Sequence, residues 1–115
     1  MRRSKWGNKI TKLDGYTFKS GKEAARYGTL KLFQQAKQIQ KLQIAPRFEL
    51  KVYGIKVCTY VADFQYETPG KEKPVVEDVK ALDTRTGSAI ITADARIKHK
   101  LFKILYPEYD FQIYA

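Results

Sequence analysis

The sequence has little of the residue types on which several classes of small protein depend. Its 115 residues include one cysteine, Cys58, and one histidine, His99. The single cysteine excludes a disulfide scaffold and multi-cysteine zinc sites, and the single histidine excludes two-histidine zinc motifs. No apolar run approaches the roughly 18 residues of a membrane span, and Met1-Arg2-Arg3 leads into no secretory signal. We therefore expect one soluble cytoplasmic domain with no membrane partner.

Basic residues are abundant and unevenly placed. There are 22 Lys and Arg against 12 Asp and Glu, which gives a formal net charge of +10. Residues 1–41 hold 11 basic and two acidic side chains, residues 42–91 hold seven of each, and residues 92–106 have a net charge of +3. Two basic segments around a neutral, acid-rich middle favour binding of a polyphosphate with a divalent cation. The alternative is that lysine only solubilises the domain.

Turn and cap signals predict the first elements. Residues 1–8 are expected to be a flexible basic arm, and residues 9–115 a single domain. Asp14-Gly15 predicts a hairpin over residues 10–18, with Thr11 opposite Phe18 and Leu13 opposite Tyr16. Ser20-Gly21-Lys22-Glu23 is a capping box that begins a helix running to about Gln40. Its expected buried stripe consists of Ala25, Leu30, Leu32, Phe33, Ala36 and Ile39.

The remaining pattern predicts three strands, a helix and a strand. Leu42 to Val52 alternates around Pro46, residues 55–66 are β-branched and aromatic, and Pro74 to Ala81 forms the third strand. A helix from about Thr92 to Pro107 is expected to bury Ile97, Leu101, Ile104 and Leu105. A last strand covers Asp110 to Tyr114. The order of helix, three strands, helix and strand predicts an α/β fold with a mixed sheet.

Two aspartates and a lysine are expected to meet on this sheet. A hairpin centred near Gly70-Lys71 places Asp63 opposite Asp78, and Lys80 follows on the same face. A bound cation would offset the repulsion between the carboxylates, and oxygen ligands favour Mg²⁺ or Mn²⁺. The alternative is an ordinary cross-strand salt bridge. Glu77 is expected on the opposite face, and spacing alone assigns Glu23 to helix capping.

With this element order, the acidic residues resemble a known family. Asp63 followed by Asp78-Val79-Lys80 looks like the PD-(D/E)XK nuclease superfamily, which has the restriction-endonuclease-like fold. More narrowly, the chain resembles small phage-encoded endonuclease-like proteins related to Holliday junction resolvases. The segments that carry the resemblance are Trp6-Gly7-Asn8-Lys9, Asp14-Gly15-Tyr16-Thr17-Phe18, Ser20-Gly21-Lys22-Glu23-Ala24, Pro46-Arg47-Phe48-Glu49-Leu50, Tyr60-Val61-Ala62-Asp63-Phe64, Val76-Glu77-Asp78-Val79-Lys80 and Ile97-Lys98-His99-Lys100-Leu101-Phe102.

The resemblance implies an αβββαβ core and a Mg²⁺-dependent phosphodiesterase without an organic cofactor. It implies that Asp63, Asp78 and the Val79 carbonyl bind the metal and that Lys80 is the catalytic lysine. It also makes Glu23 a catalytic acid, against the assignment from spacing. One departure is Ala62, where the superfamily has a proline. A phage-encoded protein would act in the host cytoplasm.

Basic and polar side chains near this site are expected to contact DNA. Those in the basic segments and in the loop after the third strand are Arg2, Arg3, Lys5, Lys9, Lys22, Arg26, Thr84, Arg85, Arg96, Lys100 and Lys103. His99 is expected at the surface rather than in catalysis. By strand parity, Tyr60 and Tyr66 are expected to lie opposite the acidic face.

The sequence thus predicts a metal-dependent, structure-selective endodeoxyribonuclease that acts on branched DNA, with Holliday junctions as the expected substrate. Because such a junction has paired symmetric scission points, a homodimer is expected. The alternatives are a basic nucleic-acid-binding protein without catalysis and a less selective phage endonuclease.

Overall fold

A computed structural model of the chain describes residues 10–115. It has the mixed α and β composition that the sequence predicts. The elements are β1 (Thr11–Leu13), β2 (Tyr16–Phe18), α1 (Gly21–Gln35), β3 (Gln40–Ile44), β4 (Arg47–Val52), β5 (Ile55–Val61), β6 (Phe64–Glu67), β7 (Val75–Val79), β8 (Leu82–Asp83), β9 (Ser88–Ala89), α2 (Ala93–Leu105) and β10 (Asp110–Tyr114). Within the described part, neither helix is long and apolar enough to cross a membrane.

The main sheet has four strands in the order β10-β7-β6-β3. The β3–β6 and β6–β7 pairs are antiparallel, and β7 and β10 are parallel. With the two helices, these strands follow the chain order α1, β3, β6, β7, α2, β10, which is the predicted αβββαβ order. The β4–β5 hairpin is inserted between β3 and β6 and forms its own two-stranded sheet.

Two apolar clusters build the core. One joins α1 and the first hairpin to β6 and β7, through Phe18, Tyr27, Leu30 and Phe64. The other joins α2 to the β4–β5 hairpin and to Val76. Because neighbouring residues of β7 point in opposite directions, Val75 belongs to the first cluster and Val76 to the second.

The first hairpin and the start of α1 are confirmed. Thr11 pairs with Phe18 and Leu13 with Tyr16, and the Ser20 side chain accepts a bond from the Glu23 N–H at 3.1 Å. The predicted end of the helix is wrong, since α1 ends at Gln35. Its buried residues are Ala24, Tyr27 and Leu30; the predicted stripe is wrong, because Ala25 and Leu32 are exposed and Ile39 is buried beyond the helix.

The bounds predicted for α2 are nearly correct, and its predicted buried face is correct in part. Leu101 and Leu105 are partly buried against the second cluster, but the prediction is wrong for Ile97 and Ile104. His99 and Phe102 are the buried residues of this helix, whereas Ile97 and Ile104 are each 67% exposed. The Phe102 ring lies 4.8 Å from that of Phe48 and 5.3 Å from that of Tyr60, measured between centroids. Packing of the aromatic rings orients the helix.

Two of the predicted strands are each divided in the structure. The segment from Leu42 to Val52 is interrupted at Ala45, whose φ of 54° directs β4 away from β3. The segment 55–66 is interrupted at Ala62 and Asp63, so that β5 pairs with β4 and β6 pairs with β7. The predicted register is confirmed: Phe64 pairs with Glu77 and Tyr66 with Val75.

Candidate active site

An open cleft of about 510 Å³ lies where the N-termini of both helices meet β5 and β7. The caps of the two helices, Ser20 and Thr92, both line it. Its charged and titratable side chains are Lys19, Lys22, Glu23, Tyr60, Asp63, Asp78, Lys80, Asp94, Lys98 and His99. The cleft therefore brings together Glu23, Asp63, Asp78, Val79 and Lys80, which are the predicted catalytic and metal-binding residues.

Asp63 and Asp78 are held by reciprocal hydrogen bonds at the strand break. The Val79 N–H donates to Asp63 Oδ2 at 2.7 Å, and the Asp63 N–H lies 3.2 Å from Asp78 Oδ1. The same Asp63 N–H donates to the Glu77 carbonyl at 3.1 Å, one residue out of step with the Phe64–Glu77 pair, so the ladder is irregular at the break. Only 8% of Asp63 and 4% of Asp78 are exposed. The break exposes the ends of two buried carboxylates to the cleft.

Tyr60 and His99 bind Asp78, contrary to the prediction for each. The Tyr60 hydroxyl donates to Asp78 Oδ2 at 2.6 Å, and His99 Nε2 lies 2.7 Å from the same oxygen. Because a carboxylate only accepts, this bond requires the proton on Nε2. His99 is buried rather than at the surface. Tyr60 lies on the acidic face because the break at Ala62 and Asp63 reverses the parity counted along the segment.

Glu23 and Asp63 are acids held in an unfavourable electrostatic environment. Burial, followed by the charge of Asp63, raises the pKa of Glu23 to about 7. Burial and the charge of Asp78 raise the pKa of Asp63, against the lowering effect of the Val79 N–H. Burial alone would raise the pKa of Asp78 as well, but the hydrogen bonds from His99 and Tyr60 and the charge of Lys80 hold it below its ordinary value. Glu23 therefore combines its helix-capping position with a place in the acidic cluster.

Two lysines lie near these acids at distances longer than a hydrogen bond. Lys80 Nζ lies 3.9 Å from Asp78 Oδ2, and Lys19 Nζ lies 3.8 Å from Asp63 Oδ1. The Lys19 side chain is largely exposed, whereas that of Lys80 is mostly buried. Four lysines and four acids line the cleft. Buried Asp63 and Asp78 form its acidic floor. Its rim has Lys19, Lys22 and Lys98, which are exposed or half-buried, and exposed Asp94, so the rim is basic on balance.

The donor set fits a hydrated divalent cation. Burial and the charge of a neighbouring acid raise the pKa of Glu23 and of Asp63. The lysine that pairs with Asp63, Lys19, is largely exposed and lies 3.8 Å away, so a bound cation would further relieve the repulsion. Within residues 10–115, no three His, Cys, Asp or Glu side chains form a metal-binding group by themselves. Mg²⁺ retains several waters and needs only one or two carboxylates. Asp63, Asp78 and the carbonyl of the cleft residue Val79 would hold it.

One predicted DNA-binding residue, Arg26, makes its contacts with other residues of the protein. The Arg26 guanidinium donates to Glu77 Oε1 at 2.6 Å and to Oε2 at 2.9 Å, and it lies 4.0 Å from the centre of the Tyr114 ring. Tyr66 donates to the same Glu77 at 2.8 Å. Arg26 is therefore directed toward Glu77 and Tyr114, and it does not line the cleft. Glu77 and Tyr66 do lie away from the acidic cluster, as expected.

The other predicted DNA-binding residues are only partly gathered at the cleft. Lys22 lines it. Thr84 and Arg85 lie in the exposed turn of the β8–β9 hairpin, whose first strand begins at Leu82, next to the cleft residue Ala81. Arg96, Lys100 and Lys103 are exposed on α2 but do not line the cleft, which Lys98 does. Arg2, Arg3, Lys5 and Lys9 lie outside the described residues, as does the predicted basic arm.

Sequence reasoning missed Tyr60, His99, Lys19 and Lys98 as cleft residues. A signal for His99 was present in the chain, since His99 and Phe102 are three residues apart and share a helix face. It was outweighed by the larger number of aliphatic residues on another face of α2. Lys19 adjoins the Ser20 cap, and the side chains at the start of α1 face the cleft.

Comparisons with known proteins identify one family. A family model described as "Protein of unknown function (DUF1064)" matches residues 3–114. A search of the curated proteins found no match, and a search of the solved structures found none.

Proposed function

The chain belongs to the DUF1064 family, and from the geometry of its cleft we propose that it is a metal-dependent endodeoxyribonuclease of the PD-(D/E)XK type. The observation that carries this proposal is the meeting of two buried carboxylates, Asp63 and Asp78, with Lys80 at the floor of an open cleft. Repulsion between two buried acids lowers the stability of the fold, and a bound cation would offset it. The position of these acids in a cleft is typical of functional sites.

The residues of the cleft divide the chemistry of phosphodiester hydrolysis among them. When bound at Asp63 and Asp78, Mg²⁺ supplies positive charge that polarises a phosphate oxygen and lowers the pKa of water. Lys80 Nζ lies 3.9 Å from Asp78 Oδ2, and its ammonium donates to phosphate oxygens as negative charge develops there. Glu23, with a pKa of about 7, accepts a proton on a carboxylate oxygen at neutral pH.

Tyr60 and His99 act on Asp78 rather than on the substrate. Both bind Asp78 Oδ2, and they hold the carboxylate so that Oδ1 stays beside Asp63. Such outer partners fix the orientation of a ligand and are important for metal affinity. They are positioning residues in this proposal.

The proposed substrate is branched DNA, with a Holliday junction as the preferred form, and the proposed active species is a homodimer. The acidic floor and basic rim suit a phosphate backbone that approaches from solvent. A junction has two equivalent scission points, which a two-fold dimer can address together. The protein would act in the cytoplasm, and Mn²⁺ would substitute for Mg²⁺.

The decisive experiment is cleavage of an end-labelled four-way junction and a linear duplex of matched sequence in Mg²⁺. We expect the junction to be cut faster than the duplex. Asp63→Asn and Asp78→Asn should abolish cleavage, and Lys80→Ala should slow it by about 10² to 10³-fold. Glu108→Gln is the matched control, because Glu108 is exposed and outside the cleft; it should cut as the wild type does.

The alternative is a DNA-binding protein without catalysis. It is favoured by the hydrogen bonds of Asp78 Oδ2, which occupy one oxygen of the proposed metal ligand. Binding of the junction by the wild type with no scission in Mg²⁺ or Mn²⁺ would decide for this alternative. Equal cleavage of junction and duplex would keep the nuclease and remove the selectivity for branched DNA.

A further inference from the structure

The turn of the β4–β5 hairpin places a tyrosine in a conformation that tyrosine rarely adopts. Val52 pairs with Ile55, so Tyr53 and Gly54 form a two-residue loop, with φ of 50° and 77°. Positive φ at both positions is the pattern of a type I′ turn, which favours Asn-Gly or Asp-Gly. The β1–β2 turn of this chain has Asp14-Gly15 at the same two positions. Tyr53 therefore accepts a steric cost that an asparagine or aspartate would largely avoid.

Burial does not compensate this cost. Tyr53 is 99% exposed, and its neighbours Ile55 and Val57 are 71% and 59% exposed. Val57 sits in a bulge, since Cys58 pairs with Leu50 and Lys56 with Lys51. An exposed aromatic ring among exposed aliphatic side chains marks a binding surface. Strain at such a place is typical of function rather than of stability.

The charge of the hairpin indicates the kind of partner. Lys51 and Lys56 are direct cross-strand partners, and like charges in that arrangement destabilise a hairpin. Lys51 Nζ forms an ion pair with Glu49 Oε2 at 3.2 Å, but both side chains are exposed. A partner with negative charge and flat apolar surface would satisfy both the lysines and the ring. Nucleic acid with an unstacked base has both properties.

We propose, on the basis of the proposed function, that the β4–β5 hairpin recognises the branch of the DNA substrate. Tyr53 stacks on a base exposed at the branch point, and Lys51 and Lys56 contact the flanking phosphates. The same β5 strand leads into the cleft, which Thr59, Tyr60 and Val61 line. Six residues from Tyr53 to Thr59 span roughly 20 Å, or about six base-pair steps at ~3.4 Å each. Scission is therefore placed within about six nucleotides of the branch.

The test compares Tyr53→Asn, Tyr53→Phe and the wild type. Junction and duplex affinities are measured in EDTA, so that binding is separated from cleavage, and scission positions are mapped in Mg²⁺. A 2-aminopurine at the branch reports base unstacking. We expect Tyr53→Asn to lose at least ten-fold in junction affinity while duplex affinity changes less than two-fold. Because Asn-Gly suits the turn, its melting temperature should rise by a few degrees.

Tyr53→Phe keeps the ring and should retain junction affinity. Lys56→Ala should weaken junction binding, whereas Lys71→Ala, an exposed lysine in another loop, should not. Unchanged junction affinity and 2-aminopurine signal in Tyr53→Asn would overturn the proposal, even with junction cleavage intact. Loss of self-association in Tyr53→Asn, with DNA binding unchanged, would overturn it in favour of a second copy of the chain. A wild type that binds no DNA would overturn the proposed function as well.

Discussion

Asp63 and Asp78 have the same side chain and are both buried, yet their pKa values move in opposite directions. Burial raises the pKa of Asp63, whereas the bonds from His99 and Tyr60 outweigh burial at Asp78 and lower its pKa. Asp78 is therefore stabilised as an anion. The negative charges of Asp63 and Glu23, in contrast, repel each other. Neighbouring donors, rather than depth in the protein, distinguish the two acids.

Glu23 should make stability depend on pH in the absence of metal. Its pKa is raised from 4.5 to about 7, so the folded chain binds a proton more tightly than the unfolded chain. This contribution to stability is present below pH 4.5 and is lost as the pH rises through about 7. In EDTA, we expect Glu23→Gln to remove about 1 kcal/mol of the fall in unfolding free energy between pH 4.5 and 7.5, after allowance for solvent screening.

The measurement is urea denaturation of the wild type and of Glu23→Gln across that pH range. Glu108→Gln makes the same chemical change at an exposed site and should follow the wild-type curve. Parallel curves for the wild type and Glu23→Gln would show that Glu23 keeps an ordinary pKa and is not part of the acidic cluster.

At the level of single residues, the sequence was sufficient where local spacing decides position. Asp63 and Asp78 could be placed together because the length of the β6–β7 loop determines the register, and the Phe64–Glu77 pair has the expected register. Tyr60 could not be placed, because its side depends on the break at Ala62 and Asp63. The break separates β5, which pairs with β4, from β6, which pairs with β3 and β7, so it depends on which strands pair.

At the level of elements, the orientation of α2 shows why a hydrophobic pattern can mislead. The helix has aliphatic residues on two faces, and a count of them favours Ile97 and Ile104, which are exposed. Phe102 is fully buried against the rings of Phe48, Tyr60 and Phe111. The orientation of α2 that buries Phe102 also brings His99 Nε2 within hydrogen-bond distance of Asp78 Oδ2. The starts of both helices follow from local caps, but the face of a helix depends on which partners exist in three dimensions.

A buried ion pair joins α1 to the strand that carries Asp78. Arg26 binds Glu77, which is 2% exposed. We expect Arg26→Ala to lower the unfolding free energy by about 3–5 kcal/mol, because it leaves a buried carboxylate without its counter-charge. The measurement is urea unfolding at pH 7.

Lys31→Ala is the matched control within the same helix. Lys31 pairs with Asp14 at 3.3 Å, and both side chains are exposed, so its loss should lower the unfolding free energy far less than the loss of Arg26 does. Similar small losses in both variants would mean that Arg26 does not hold α1 against β7.

At the level of the whole molecule, the net charge of +10 is combined with a locally balanced cleft. The four lysines of the cleft balance its four acids, so the excess of positive charge lies on residues outside the cleft. Composition alone predicts a polyanion partner. It could not identify Lys19 and Lys98 as rim residues, because the meeting of the two helix N-termini brings them to one cleft.

This arrangement should appear in the salt dependence of DNA binding. Each lysine that neutralises a phosphate contributes about 0.9 to the slope of log K against log salt concentration. We expect Lys19→Ala, Lys22→Ala and Lys98→Ala each to reduce that slope by about one on junction and duplex alike. The measurement is a filter-binding or anisotropy titration in EDTA at several salt concentrations.

Lys37→Ala and Lys41→Ala are the controls, because these exposed lysines follow the end of α1 and lie outside the cleft. They preserve the change in net charge while leaving the rim intact, so their slopes should stay at the wild-type value. If all five variants reduced the slope equally, the DNA would be held by the overall charge of the molecule. A reduction confined to Lys19, Lys22 and Lys98 would place the phosphate backbone over the two aspartates.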